Sequence, residues 1–315
     1  MAPFKSFLNL LKSFPIKNYL YGPNHIYMIK WLNLEFCSVC NLTCKWCTLD
    51  HHKEAMMMPP SILEKVFDEL IENRRICLER IDFHNAGETL LHDNLREMLR
   101  VIYSKKAYLN NQPLISLLTN ATVLTRAKAE MIIESNALDE IRFSVDGGTR
   151  ELFESIRIGA KWENVRDNIL KFTGMNNRAR KKIKTGIICI LPPEKDLDTN
   201  WMSEEFRFLF SSVDQVELRY PHNWDGSKDL GLPRRDVAAE RGKVCQGLVK
   251  NLVVLASGDT VVCCADLNSR GVIGNIKQHS LEELYFSPKR RWMIKMFMEN
   301  RKKEIPLCQN CEGFY

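Results

Sequence analysis

From Ile29 onward, apolar residues alternate with polar ones in short runs and recur every third or fourth position in the longer runs between them. The two-residue period predicts strands over Ile29–Phe36, Arg80–His84, Leu114–Leu118, Glu140–Val145, Ile183–Leu191 and Gln215–Tyr220. Helical spacing predicts Ser61–Asn73, whose apolar stripe is Ile62, Leu63, Val66, Phe67, Leu70 and Ile71. Asn94–Lys106, Arg126–Ser135, Arg150–Phe172 and Asn200–Phe210 follow the same rhythm. Strands alternating with helices imply parallel pairing through right-handed crossovers. Six such units fall short of a closed eight-fold barrel, so the expected α/β fold is an open, partial (β/α)6 TIM-like barrel.

The strands also separate their two faces. Ile141, Phe143 and Val145 oppose Arg142, Ser144 and Asp146; Ile81 and Phe83 oppose Asp82 and His84; Val216, Leu218 and Tyr220 oppose Glu217 and Arg219. Parallel strands covered on both faces read as nearly continuous apolar runs. Here one face is polar. Because helices must cover the outer face, the polar side is expected to line the lumen as a substrate chamber.

The pattern changes after the Pro-, Gly- and charge-rich stretch His222–Gly242. Leu252–Ala256 and Thr260–Cys264 flank Ser257-Gly258-Asp259 and predict a β-hairpin, and a helix is expected from Leu281 to about Asn300. The division expected is an extension over 1–28, a barrel over 29–222, a linker over 223–243 and a small hairpin-plus-helix domain over 244–315. Within the extension, Phe4, Phe7, Leu8, Leu11 and Phe14 fall near helical spacing and predict a short amphipathic helix packed on its own domain.

Hydrophobic content of 45% and charged content of 27% are those of an ordinary soluble globular protein. No apolar run approaches the ~20 residues of a membrane span, and no signal-peptide cleavage pattern is visible. The net charge of +6 is mild, its densest run Arg178–Lys184 reads as a solvated segment, and nucleic-acid binding is disfavoured. Eleven cysteines in short metal-type spacings, without an export signal, point to a reducing cytoplasm and metal ligation.

Cys40, Cys44 and Cys47 form C-x3-C-x2-C directly after the first strand. Iron–sulfur clusters are normally held by four Cys. Three thiolates on a cubane therefore leave one iron open, as an open position marks a catalytic zinc; half of a zinc site is the other reading. Cys245, Cys263, Cys308 and Cys311 supply four further thiols, in the order C-x17-C-x44-C-x2-C. Ligand count alone fits zinc as well as a cluster.

The Cys40 loop resembles the signature of the radical S-adenosylmethionine (radical SAM) superfamily, in which the open iron chelates SAM. The C-terminal cysteines, with GVIGNI and SLEELYFSPKRRWM between them, resemble the auxiliary-cluster domain called twitch, the shortened form of SPASM. Their spacing is similar to that of the radical SAM aminocyclitol dehydrogenase group of butirosin biosynthesis. The chain ends four residues after Cys311, which implies one auxiliary cluster rather than two. The resemblance thus implies two 4Fe-4S clusters and SAM, whose reductive cleavage gives a 5′-deoxyadenosyl radical that abstracts hydrogen from substrate.

It also implies residue roles. Trp46 would lie against the adenine, and Gly87 and Glu88 would meet the methionyl amine, although Asn85-Ala86-Gly87-Glu88-Thr89 lacks the first Gly and the Pro of the family's GGEP. Asn120 stands in the family's TNG position. Ser144 and Asp146 stand in its SxDG segment, and Arg157 matches an arginine near the SAM carboxylate. Cys264 adjoins a predicted ligand and could give a hydrogen atom to a substrate radical, or replace Cys263 on the metal. Arg219, Tyr220 and His222 close the last strand, where barrel active sites are built. His84 is a weaker candidate, and His51-His52 reads as loop surface. Cys37, Cys77 and Cys189 read as small buried hydrophobes.

The expected function is a cytoplasmic radical SAM oxidoreductase acting on a small polar sugar or aminocyclitol, reduced by a flavodoxin or ferredoxin. A peptide-modifying maturase is the alternative, disfavoured because the N-terminal extension is too short for a leader-peptide recognition domain. A non-catalytic zinc protein is the alternative of another class.

Overall fold

The computed structural model describes residues 27–233 and 244–313. The expected helix through Phe4 and Phe14, and the linker from residue 234 on, lie outside the described residues. All six expected strands form and pair in parallel: β1 (Tyr27–Leu34), β2 (Ile76–Phe83), β3 (Leu114–Thr119), β4 (Glu140–Ser144), β5 (Lys184–Ile190) and β6 (Gln215–Arg219). The helices between them are α1 (Pro60–Glu72), α2 (Leu95–Lys106), α3 (Arg126–Ser135), α4 (Arg150–Ile156), α5 (Trp162–Asn176) and α6 (Glu204–Ser211).

The helices bury their apolar stripes against the outer face of the sheet. Helix α1 starts with Pro60, whose missing N–H costs nothing in a first turn. It buries Ile62, Leu63, Val66, Phe67 and Leu70, each worth about 1.5–3 kcal/mol of apolar transfer. On the other side of the molecule Trp162 and Phe206 stack at 4.0 Å, tying α5 to α6.

The expected single helix Arg150–Phe172 is two helices. Gly159 stands at φ +99°, open to glycine and strained for any other residue, and its turn wraps the Cys40 loop, with Leu42 3.3 Å from where a Cβ would be. Likewise the helix expected from Leu281 divides into α8 (Leu281–Tyr285) and α9 (Pro288–Met298), because Pro288 cannot donate into a preceding turn.

Behind the linker come α7 (Gln246–Lys250) and three strands, β7 (Asn251–Val254), β8 (Asp259–Val261) and β9 (Val272–Asn275). The hairpin β7–β8 was expected, whereas β9 was not. The three strands do not form a separate sheet. β7 pairs in parallel with β1, Leu32 beside Leu252 and Asn33 beside Val253, giving one sheet of order β6-β5-β4-β3-β2-β1-β7-β8-β9. A second small core, Leu248, Val249, Val262, Met293, Ile294 and Phe297, fills the space under α9.

The polar strand faces meet inside. Asn33, Asp82, Ser116 and Glu140 are register neighbours across four strands, and all four are buried. Asn33 is met by His84, and the two carboxylates by two arginines: Arg80 reaches Asp82 at 2.6 Å and also pairs with Glu140, while Arg142 reaches Asp82 at 2.9 Å. Ser116 Oγ and Gln215 Nε2 both donate to Glu140. The polar strand faces thus lie side by side, and an ion-pair layer neutralises their carboxylates. Among the described residues no helix is long and apolar enough to cross a membrane.

Candidate active site and auxiliary centre

The loop after β1 carries Cys40, Cys44 and Cys47, and backbone bonds hold it from three sides. Thr43 N donates to Ile158 O (3.1 Å) and Lys45 N to Ile156 O (2.8 Å), both at the end of α4. Glu88 N donates to Val39 O (2.9 Å), and Gly87 packs so tightly that a Cβ there would stand 2.1 Å from Cys37 O. Gly87 is therefore required by close backbone approach, even without the rest of the family's GGEP pattern.

Glu88 is almost wholly buried and fully engaged. Its carboxylate accepts from Thr119 Oγ1 (2.6 Å), Asn120 N (2.7 Å) and Leu90 N (3.0 Å). Burial raises its pKa, and these bonds and the Arg157 charge oppose that. Asn120 in turn donates from Nδ2 to Asn41 Oδ1 at 3.1 Å and lies 3.8 Å from Cys40 Sγ. The ends of β2 and β3 are thus locked to the cysteine loop through one carboxylate.

Arg157 follows the last residue of α4, where the break turns its side chain inward. Its Nε lies 2.7 Å from Asp146 Oδ2 and its Nη1 3.8 Å from Cys44 Sγ. Asp146 also accepts from Ile190 N at 2.8 Å, and it is buried. Ser144 lies one strand step below, half-buried. Burial raises the pKa of all three thiols, Cys40 up to about 12; Arg157 opposes the rise at Cys44. A thiol so placed ionises when it gains a cation, so ligation here releases protons.

At the far end of the sheet Cys245, Cys263, Cys308 and Cys311 line one cavity, with Asp225 and Lys302 at its rim. Gly247 sits against it: a Cβ there would be 3.6 Å from Cys245 Sγ and 3.7 Å from Cys263 Sγ. Buried Arg290 donates to the carbonyls of Leu248, Tyr285 and Val249, which fixes the α7 turn that carries Cys245. Ala265 N and Gly313 N donate to Cys263 Sγ and Cys311 Sγ. Backbone donors on sulfur, four convergent thiols and apolar walls fit an iron–sulfur cluster. Among the described residues no three His, Cys, Asp or Glu side chains close on a single-ion point. All eleven cysteines are free thiols.

Of the catalytic candidates, Arg219 is on the lumen face of β6, its Nε 2.6 Å from Glu217. Cys264 packs on the cluster of Val253, Leu255 and Val261, beside Cys263. Tyr220 falls on the other face, is exposed, and donates to Lys195 O. His222 packs on Trp224 and accepts its backbone N–H through Nδ1. His84, rated low on sequence, is in the lumen: Nε2 meets Asn33 Nδ2 at 3.2 Å, and buried Nδ1 has no hydrogen-bond partner among the described residues. Burial pulls its pKa down to about 4.

Sequence reasoning missed the segment after β6. Trp224 Nε1 donates to Trp46 O at 2.8 Å, and its ring packs on Leu49, Ala86 and Leu267, the cluster that Cys40 and Cys47 also touch. Trp46 itself is half-buried under Lys45, whose Nζ is 5.5 Å from the ring centre. Asn268 was also missed: it accepts from Asp50 N and donates to Thr48 O, joining the cysteine loop to the loop beyond Cys263. A tryptophan in a polar linker was the only available signal.

An open barrel with three thiols at the mouth of β1 and a four-thiol centre on the extended edge defines an enzyme class. The model of the radical SAM superfamily matches residues 34–202, more than half of the chain, and that of an iron–sulfur cluster-binding domain, SPASM, matches 245–312. The chain belongs to the radical SAM superfamily. It is an oxidoreductase-type enzyme that uses SAM and two iron–sulfur clusters, and the zinc alternative falls.

Among characterised proteins it is similar to the S-adenosyl-L-methionine-dependent 2-deoxy-scyllo-inosamine dehydrogenase of Niallia circulans, 23% identical over 288 residues, which cover 91% of this chain and 94% of that protein. Its fold is that of BtrN in complex with AdoMet and 2-DOIA (TM-score 0.60, 20% identity, 90% of this chain and 93% of that one). It is also that of SuiB from Streptococcus suis bound to precursor peptide SuiA (TM-score 0.67, 13% identity, 99% of this chain and 75% of that one).

Proposed function

We propose that this enzyme oxidises a carbinol of a small, uncharged or weakly charged polyol, of the cyclitol, aminocyclitol or sugar type. The observation that carries the reading is the lumen. Its acids and bases are already matched, Arg80, Arg142 and Arg219 against Asp82, Glu140 and Glu217, and His84 is neutral. Such a chamber offers hydroxyl-binding groups without demanding net charge from its ligand. The likeness to an aminocyclitol dehydrogenase along nearly the whole chain agrees.

In this reading Cys40, Cys44 and Cys47 hold the SAM-binding cluster, and Cys245, Cys263, Cys308 and Cys311 hold the auxiliary one. When bound, the clusters and SAM supply the electron, the deoxyadenosyl radical and an electron sink. The chain's own side chains position and exclude. Trp46 covers the adenine; Gly87, Asn120 and Ser144 line the nucleoside path. Glu88 acts by locking the β2 and β3 ends, since its oxygens are engaged. Arg157, held by Asp146, presents positive charge to the SAM carboxylate. Arg219, Cys264 and His84 face the substrate; Tyr220 and His222 are left to the rim. Seven cluster-holding cysteines and four more outside any disulfide suit a reducing cytoplasm, with a flavodoxin or ferredoxin as electron donor.

The test is anaerobic turnover with SAM, dithionite and 2-deoxy-scyllo-inosamine deuterated at its carbinol carbons, alongside inositols and hexoses. Deuterium in 5′-deoxyadenosine and a matching ketone are expected. No transfer from any polyol, with transfer from a peptide instead, would overturn the substrate class.

A further inference from the structure

The segment between β6 and the undescribed stretch makes contact with both thiol centres. At one end Trp224 donates to Trp46 O, the carbonyl next to Cys47, and its ring packs on the small cluster of Leu49, Ala86 and Leu267 that Cys40 and Cys47 also touch. At the other end Asn223 Nδ2 donates to Asn310 O at 2.8 Å and Asn223 Oδ1 accepts from Glu312 N at 3.0 Å, so it grips both flanks of Cys311. Gly226 at φ +70° lies so close to the same knuckle that a Cβ would stand 2.4 Å from Asn310 O. Between these ends Asp225 is buried at the rim of the auxiliary cavity and pairs with Arg270 at 2.8 Å. Four consecutive residues thus span the two centres, and every one of them is pinned.

We propose that Asn223–Gly226 is a strut through which the auxiliary cysteine knuckle sets the backbone of the SAM-binding loop, so that SAM affinity depends on contacts made at the far centre. The inference rests on SAM binding at the Cys40 loop, and no part of it depends on the substrate. The physical reason is serial. Trp46 O can be held in place only if Trp224 is, and the Trp224 backbone, in the left-handed region at φ +53°, is held by its pinned neighbours. Breaking either end frees the same loop. Asn268 fastens the loop further on, at Thr48 and Asp50, and the Lys45 N–Ile156 O bond holds its front, so the strut's own point of attachment is Trp46 O. Asn223 and Trp224 are positioning residues.

The experiment measures SAM dissociation by equilibrium dialysis on anaerobically prepared holoprotein. Trp224→Phe keeps the ring and removes the N–H; Asn223→Ala breaks the grip on the Cys311 knuckle without touching the SAM loop. Each is expected to weaken SAM binding about fivefold, the worth of one ordinary hydrogen bond. The double variant should be no weaker than the worse single one, with iron and sulfide content and the auxiliary-cluster EPR signal unchanged. Should Trp224→Phe lose iron, Asn223→Ala alone decides the matter. Unaltered SAM affinity in Asn223→Ala, or effects of the two changes that multiply, would overturn the strut. Wild-type protein that bound no SAM would instead overturn the assignment of the Cys40 loop.

Discussion

Replacing Arg157 by Met keeps roughly the side-chain length and removes the charge. Asp146, only 3% exposed, would then keep the Ile190 N–H but lose its cation at 2.7 Å. Stranding one member of a buried pair costs about 3–5 kcal/mol. For a 315-residue chain with an unfolding entropy of about 2.1 cal/mol/K per residue, that is a fall of about 5–8 °C in Tm. Scanning calorimetry of anaerobic holoprotein measures it. Adding Asp146→Asn removes the stranded charge and should return more than half of the loss, because the two effects share one interaction. A second consequence is chemical: without Arg157 the main opposition to the burial that raises the Cys44 thiol is gone, so cluster assembly should slow. A Tm change under 1 °C, or strict additivity of the two substitutions, would refute the reasoning.

Cys40→Ala should abolish 5′-deoxyadenosine formation with dithionite. Cys308→Ala should retain it while losing the oxidised product, both by chromatography with mass detection. Gly87→Ala drives a Cβ into backbone oxygens at 2.1 and 2.4 Å and should leave little soluble protein; Gly174→Ala, with nothing within 4 Å of a Cβ built there in the last turn of α5, should gain about 0.5–1 kcal/mol in urea unfolding. His84 has its folded-state pKa pulled from 6.5 to about 4, so below pH 6.5 the unfolded chain takes up the proton first. Stability is whole above pH 6.5 and declines toward pH 4 by up to about 3 kcal/mol; His84→Gln should flatten that acid slope in urea midpoints compared at pH 7 and 4.5.

The strand and helix pattern was legible because alternation and helical spacing each persist over whole elements, as in Ile141–Ser144 and Ile62–Leu70. Both cysteine sets were legible from spacing alone. Three features were not. The β1–β7 pairing joins residues more than 200 positions apart, Leu32 with Leu252, and no local pattern encodes such a partner. The turn that aims Arg157 at Asp146 and Cys44 hangs on Gly159, readable only as an interruption of a helical run. Trp224 sat among residues whose composition reads as linker, yet the polar groups around it are consumed by contacts with two loops distant in sequence.

Long-range contacts also neutralise the polar faces of the barrel strands. Asn33, Asp82, Ser116 and Glu140 form a layer in which the carboxylates are paired with Arg80 and Arg142, so the lower lumen is a polar floor sealed without free charge. Buried ion pairs add little net stability over apolar packing, so such a layer makes sense where a chamber must stay shaped rather than where a core must be strong. Above the floor, His84, Arg219 and Cys264 come from β2, β6 and the small domain respectively. The small domain that carries Cys264 joins the barrel because β7 extends its sheet at β1. A substitution that weakened β7 against β1 would therefore move Cys264 and the auxiliary thiols together, away from the SAM loop. The pairing of those two strands fixes where the four-thiol centre stands relative to the Cys40 loop.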